Sequence, residues 1–95
     1  MQRNGRERFA SLVARYFFDL YNDVNTSDDE GKDFPDLGAA KDNALAEAKE
    51  MMTQSVHDGA LDLNHHIDVR DEGGKVVYVL RFADAVRIIP ERRPS

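Results

Sequence analysis

The sequence contains no cysteine and no tryptophan, has only three prolines, and has no apolar run near the length of a membrane span. Without cysteine there is no disulfide framework, no thiolate nucleophile and no Cys-ligated zinc. A helix needs about 20 consecutive apolar residues to cross a bilayer, and none is present. The basic start, Arg3 to Arg8, is followed by no long hydrophobic stretch, so no secretory signal is expected. These absences fit a cytoplasmic protein. Clustered Lys and Arg are missing as well. The first fifteen residues hold four arginines against one glutamate, but Asp19 to Asp36 holds seven acids against one lysine. With a net charge of −5, that acidic middle excludes a broad nucleic-acid surface.

What remains is a chain of 95 residues, 41% hydrophobic and 33% charged, which is a globular balance. A domain of this size buries roughly 60–65% of its unfolded surface, enough for one core but not for a deep enclosed active site. One α+β domain is expected over residues 14–89. Residues 1–13 are expected to be a flexible or partly helical extension, and residues 90–95 a disordered tail.

The first strand is expected at Ala14 to Asn22. Tyr16, Phe18 and Leu20 alternate onto a core face, leaving Arg15, Phe17, Asp19 and Tyr21 on the other. The acidic stretch after it is turn-rich, with a short second strand near Gly31 to Phe34. Pro35 and Asp36 then open a helix from Leu37 to about His57, with Asp36 as N-cap and Gly59 as the left-handed stop. Leu37, Ala40, Ala44, Ala48, Met51 and Met52 form its apolar stripe, widened by Leu45 and Val56. Alanine keeps that stripe shallow, so the helix can lie close to a sheet.

A hairpin follows, pairing His65 to Arg70 with Lys75 to Phe82 across Asp71-Glu72-Gly73-Gly74. A two-residue turn would place Ile67 and Val69 on one face with Val76, Tyr78, Leu80 and Phe82. Val77, Val79 and Arg81 would lie opposite, and Ala83 to Ile89 would form a last short strand before Pro90. The expected fold is an antiparallel sheet of three to four strands, ordered β-(β)-α-β-β, with one long helix on one face.

The Arg15-Tyr16-Phe17-Phe18 strand, the Asp29-Glu30-Gly31 step, Pro35-Asp36-Leu37 and Ile67 to Gly74 before Val76-Val77 carry a likeness. Over residues 14 to 89 the chain resembles a family of short, uncharacterised alphaproteobacterial proteins. That resemblance implies a bacterial, cytoplasmic domain and assigns no activity. The order of strand, acidic turn, Pro-Asp-Leu step and Ala-rich helix is also similar to antitoxins of the HicB type. Many of those carry a separate DNA-binding segment, for which this chain has no room.

Residues with ligand or catalytic chemistry have plainer readings. Asp23, Asn25 and Ser27 alternate like calcium ligands, but the sixth and twelfth loop positions are Asp28 and Phe34 instead of Gly and Glu. That points to a solvated acidic turn. His65 and His66 are adjacent, so on a strand they face opposite ways and cannot share an ion. His57 at the helix end suits the dipole. Ser11, Ser27, Ser55 and Ser95 lack a nucleophile elbow, and no glycine-rich phosphate loop is present. No catalytic, cofactor or metal residue is assigned, and an enzyme is the least expected class.

The informative group is Phe17, Tyr21, Val77 and Val79, which a single helix would leave on the uncovered sheet face. Large exposed apolar surface on a small protein marks a partner site, the alternative being that residues 6–13 or the 83–89 tail fold over and shield it. The leading expectation is a non-enzymatic interaction module that homodimerises through its sheet. The alternatives are an antitoxin-like or regulatory partner of another protein, and a small enzyme with its site at a subunit interface. Neither a membrane nor a nucleic-acid partner is expected.

Overall fold

The computed structural model describes residues 13–22 and 24–92. The expected extension at 1–13 falls outside these residues except for Val13, and Ser95 and its two predecessors also lie outside. The elements are β1 (Ala14–Tyr21), β2 (Lys32–Phe34), α1 (Leu37–His57), β3 (His66–Arg70), β4 (Val76–Arg81) and α2 (Phe82–Ala85). All strand pairs are antiparallel, and the four strands lie in the order β2-β1-β3-β4. This is the expected α+β architecture, with the second strand present and α1 on one face.

The long helix forms where composition and caps agree. Asp36 is extended, and its Oδ1 accepts from the Ala39 amide at 2.8 Å, satisfying a donor the first turn would leave open. At the other end the Ala60 amide donates to the Ser55 carbonyl and that of Gly59 to Val56, both at 3.0 Å. This Schellman arrangement needs a left-handed residue, and Gly59 supplies it at φ +100°.

Ala40, Ala44 and Ala48 are fully buried, and with Met52 they seat α1 on Phe18, Ile67, Val69, Leu80 and Phe82. Leu37, Leu45 and Met51 flank this seam, whereas Val56 is exposed at the helix end. Cross-strand pairing stacks the sheet's contribution in rows. Phe18 faces Val69, which faces Tyr78; Leu20 faces Ile67, which faces Leu80.

Two local expectations are corrected. The hairpin carries a β-bulge: Val69 pairs with Tyr78 but Arg70 pairs with Val76, so one extra residue sits on β4. Because side chains alternate with period two, the insertion reverses the faces expected for Val76 and Val77. Val76 joins the Phe17–Arg70 row, and Val77 is half-buried against the core. The Asp71 side chain sets this geometry, accepting from the amides of Gly73 and Lys75 at 2.9 Å each. The second correction is at the C-terminus. Phe82 to Ala85 is a helical turn packed on α1, and residues 86–92 have no regular structure. Val86 and Ile88 lie beside Met52, Thr53, Val56 and Leu61, on the helix layer.

Candidate functional site

The reverse side of the sheet is assembled by the same register that builds the core. Its rows run Tyr21–His66–Arg81, Asp19–Asp68–Val79 and Phe17–Arg70–Val76. Among the described residues no helix or strand lies over it, since the segment after β4 turns onto α1. Three of the four residues singled out by alternation, Phe17, Tyr21 and Val79, therefore share this side. The bulge moves Val77 out of their alternation and puts Val76 in its place. Val76 and Val79 are 44% and 46% exposed, the apolar part of the β4 margin that solvent reaches.

The aromatics are half-buried because polar neighbours lie on them. The Tyr21 and His66 rings stack at 4.7 Å with planes 8° apart, and His66 Nε2 is 3.4 Å from Asp68 Oδ1. The Arg70 guanidinium lies over Phe17 at 5.1 Å. His65, the other member of the pair, points elsewhere: it meets Phe82 edge-on at 5.6 Å, and its Nε2 is 3.4 Å from Asp62. The two histidines are thus on separate partners, as adjacency on an extended chain requires. His57 is exposed at the end of α1.

A polar network missed by the sequence reading holds one side of this surface. Asp19 is 5% exposed, the one polar residue buried among the described residues. Its carboxylate accepts from Arg70 Nε and Nη2, from the Asp28 amide at 2.9 Å and from the Ser27 hydroxyl at 3.4 Å. The Arg70 pairing, aided by those donors, outweighs burial and holds the Asp19 carboxyl below the usual aspartate value.

Asp28 performs a second task. Its Oδ2 accepts from the Phe18 amide at 3.0 Å, and its Oδ1 accepts from Glu30 and Gly31 at 3.1 Å each. A side chain thus fills a rung between Leu20–Thr26 above and the β1–β2 ladder below. Burial opposes ionisation of Asp28, but the three amides prevail and its carboxyl also lies below the usual range. Asp23, the first of the calcium-like positions, lies outside the described residues; the rest of that stretch is a bulge that uses its own acid internally. Arginines clamp it from both strands: Arg70 Nη2 donates to the Asp28 carbonyl and Arg15 Nη1 to the Glu30 carbonyl, each at 3.0 Å. Arg15 also grips Asp33 with both ends of its fork. A signal existed for this network, since an aspartate inside an aromatic strand is unusual and needs a partner. Which cation supplies it depends on strand order.

Gly31 makes the close approach possible. It sits at φ +70°, and a Cβ there would fall 2.8 Å from the Tyr16 carbonyl oxygen and 2.9 Å from the Phe17 ring. Gly31→Ala is expected to destabilise the fold by roughly 1–3 kcal/mol, from the left-handed backbone alone. Urea denaturation of the two chains measures this, and an unchanged midpoint would contradict it.

Among the described residues, no three His, Asp or Glu side chains converge as a metal site would require, and no helix is long and apolar enough to cross a membrane. A family model described as a domain of unknown function, DUF6894, matches residues 15–83. The chain belongs to that family. In DUF6894 terms, the matched segment runs from the Arg15 clamp to the start of α2, so it contains the acidic bulge, the long helix and the whole reverse face. Comparison with curated proteins and with solved structures returned no match.

Proposed function

We propose that this domain is a non-enzymatic protein-interaction module that self-associates through its sheet. The observation that carries this reading is the bare reverse side, where Phe17, Tyr21, Val76 and Val79 lie along rows that no described element covers. An apolar margin of this kind gains from a partner that removes it from water. A second copy is the simplest such partner, because two-fold pairing of one patch with itself is the commonest assembly.

The antitoxin-like reading relies on the acidic segment meeting a basic surface. Four of its seven carboxylates are already engaged within the domain: Asp19 by Arg70, Asp28 by backbone amides, Asp33 by Arg15 and Asp36 by the Ala39 amide. Asp29 and Glu30 remain exposed beside an open cleft bordered by Lys32 and Glu47. The segment's charge is spent mostly on its own fold, which favours self-association over a basic partner.

Sedimentation equilibrium tests the proposal. The chain should sediment at about twice its own mass, and Val79→Lys should return it to a monomer with unchanged circular dichroism, since an edge lysine blocks strand pairing. A wild-type chain that stays monomeric at high concentration would refute it.

A further inference from the structure

β4 is an outer strand, and the hydrogen-bond parity of the hairpin shows which of its backbone groups are open. The Phe82 amide donates to the His65 carbonyl at 2.9 Å. In the same register Ile67 faces Leu80 and Val69 faces Tyr78. Antiparallel ladders alternate bonded and non-bonded pairs. The Phe82, Leu80 and Tyr78 backbones therefore point toward β3, and those of Val79 and Arg81 point outward. The edge has no proline, its bulge and its one charged residue, Arg81, lie at its two ends, and it has six residues where the opposite edge, β2, has three and is followed by Pro35.

We infer that a second copy of this chain pairs with β4 in antiparallel fashion about a two-fold axis at Val79, joining two four-stranded sheets into one of eight. This rests on the self-association reading above and specifies its surface as the strand edge. Parity allows an axis at Val79 or at Arg81, and an axis at Arg81 would set two guanidiniums directly opposite each other. With the axis at Val79, that residue meets its equivalent as a bonded pair and the two exchange both backbone hydrogen bonds. Tyr78 then faces Leu80 of the second copy on the helix side, and regular pairing ends at the bulge beside Val77. An axis one residue away at Tyr78 would present backbone groups already bonded to β3. Axes between residues would match one sheet's helix side with the other's bare side.

Charge selects the same arrangement. The turn end of β4 carries Asp71, Glu72 and Lys75, one net negative charge, and the α2 end carries Arg81, Asp84 and Arg87, one net positive charge. Antiparallel pairing brings each end against its opposite twice over, whereas parallel pairing would set like against like.

Because the chain has no cysteine, a single engineered thiol reports the geometry. Bonded partners have Cα atoms about 5.5 Å apart. Val79→Cys should be captured as a covalent dimer by a short bismaleimide cross-linker in most molecules. Val56→Cys, exposed on the far end of α1, should not be captured. Val79→Pro removes an outward amide while leaving the β3 ladder intact, and should weaken self-association about 10- to 100-fold through the two lost hydrogen bonds. A wild-type dimer in which Val79→Cys is not captured, or is captured no better than Val56→Cys, overturns the edge pairing and leaves self-association through the open face standing. A wild-type monomer overturns both.

Discussion

Phe82→Ala should cost about 3–5 kcal/mol, the range for truncating a buried aromatic. Phe82 is 1% exposed and ranks among the largest fully buried side chains. It occupies the corner where the sheet ends and the chain crosses to α1, with its ring edge-on to His65 and its amide on the His65 carbonyl. Alanine is a good helix former, so the turn from Phe82 to Ala85 loses no local propensity and the deficit reports packing alone. Domains of this size are stable by roughly 5–15 kcal/mol, so the variant sits near the edge of folding. The urea midpoint should fall steeply, and Phe82→Leu should recover a good part of it. A midpoint within error of wild type would show that this corner is not part of the core.

The second large effect is at Asp19. Asp19→Ala leaves Arg70, whose side chain is 25% exposed, without its counter-charge, and strands the Asp28 amide and Ser27 hydroxyl. Removing one partner of a buried pair costs about 3–5 kcal/mol, and the partial access of water to Arg70 places the expectation near the lower end. The same residue sets an acid limit. Its folded-state pKa is depressed, so the unfolded chain binds the proton more readily than the folded one. The stabilisation is thus present above the ordinary aspartate value of about 3.9, and it is lost as pH falls from there toward the lower folded value. Asp28 acts in the same direction and over the same side of the scale. Wild-type stability should be level near neutrality and fall below about pH 4, while Asp19→Ala should start lower and show a shallower acid decline. Equal acid slopes in the two chains would mean that the Asp19–Arg70 pair does not carry the pH dependence. Asp33 and Asp62 are also depressed, but both are exposed to solvent and contribute little.

Both effects lie in places that one-dimensional patterns reach only in part. Tyr16, Phe18 and Leu20 announced a core face because alternation is a property of neighbouring residues. Ala40, Ala44 and Ala48 did so because helical periodicity is equally local. The caps Asp36 and Gly59 follow from backbone groups that every helix end leaves open. The side with Phe17, Tyr21 and Val79, which no described element covers, was legible for the same reason, being the complement of the core face.

The faces of Val76 and Val77 were not legible. They depend on whether Asp71 closes a turn with an odd or even number of residues, and one inserted residue reverses every inference that follows. The same limit applied at Ala83 to Ile89, where apolar spacing suited a strand, yet the available surface was the flank of α1 and the chain turned helical to reach it.

Local chemistry in the sequence therefore determined the elements, their ends and the division of β1 into a buried and an open side, since each is set by residues within a few positions. Tertiary structure alone decided that Asp19 would be neutralised by Arg70, fifty-one residues away, and that Asp28 would complete a rung of the sheet. Strand order also decided which strands form the edges of the sheet among the described residues. Each of these is a choice of partner, and only the pairing of distant strands brings the candidates within bonding distance.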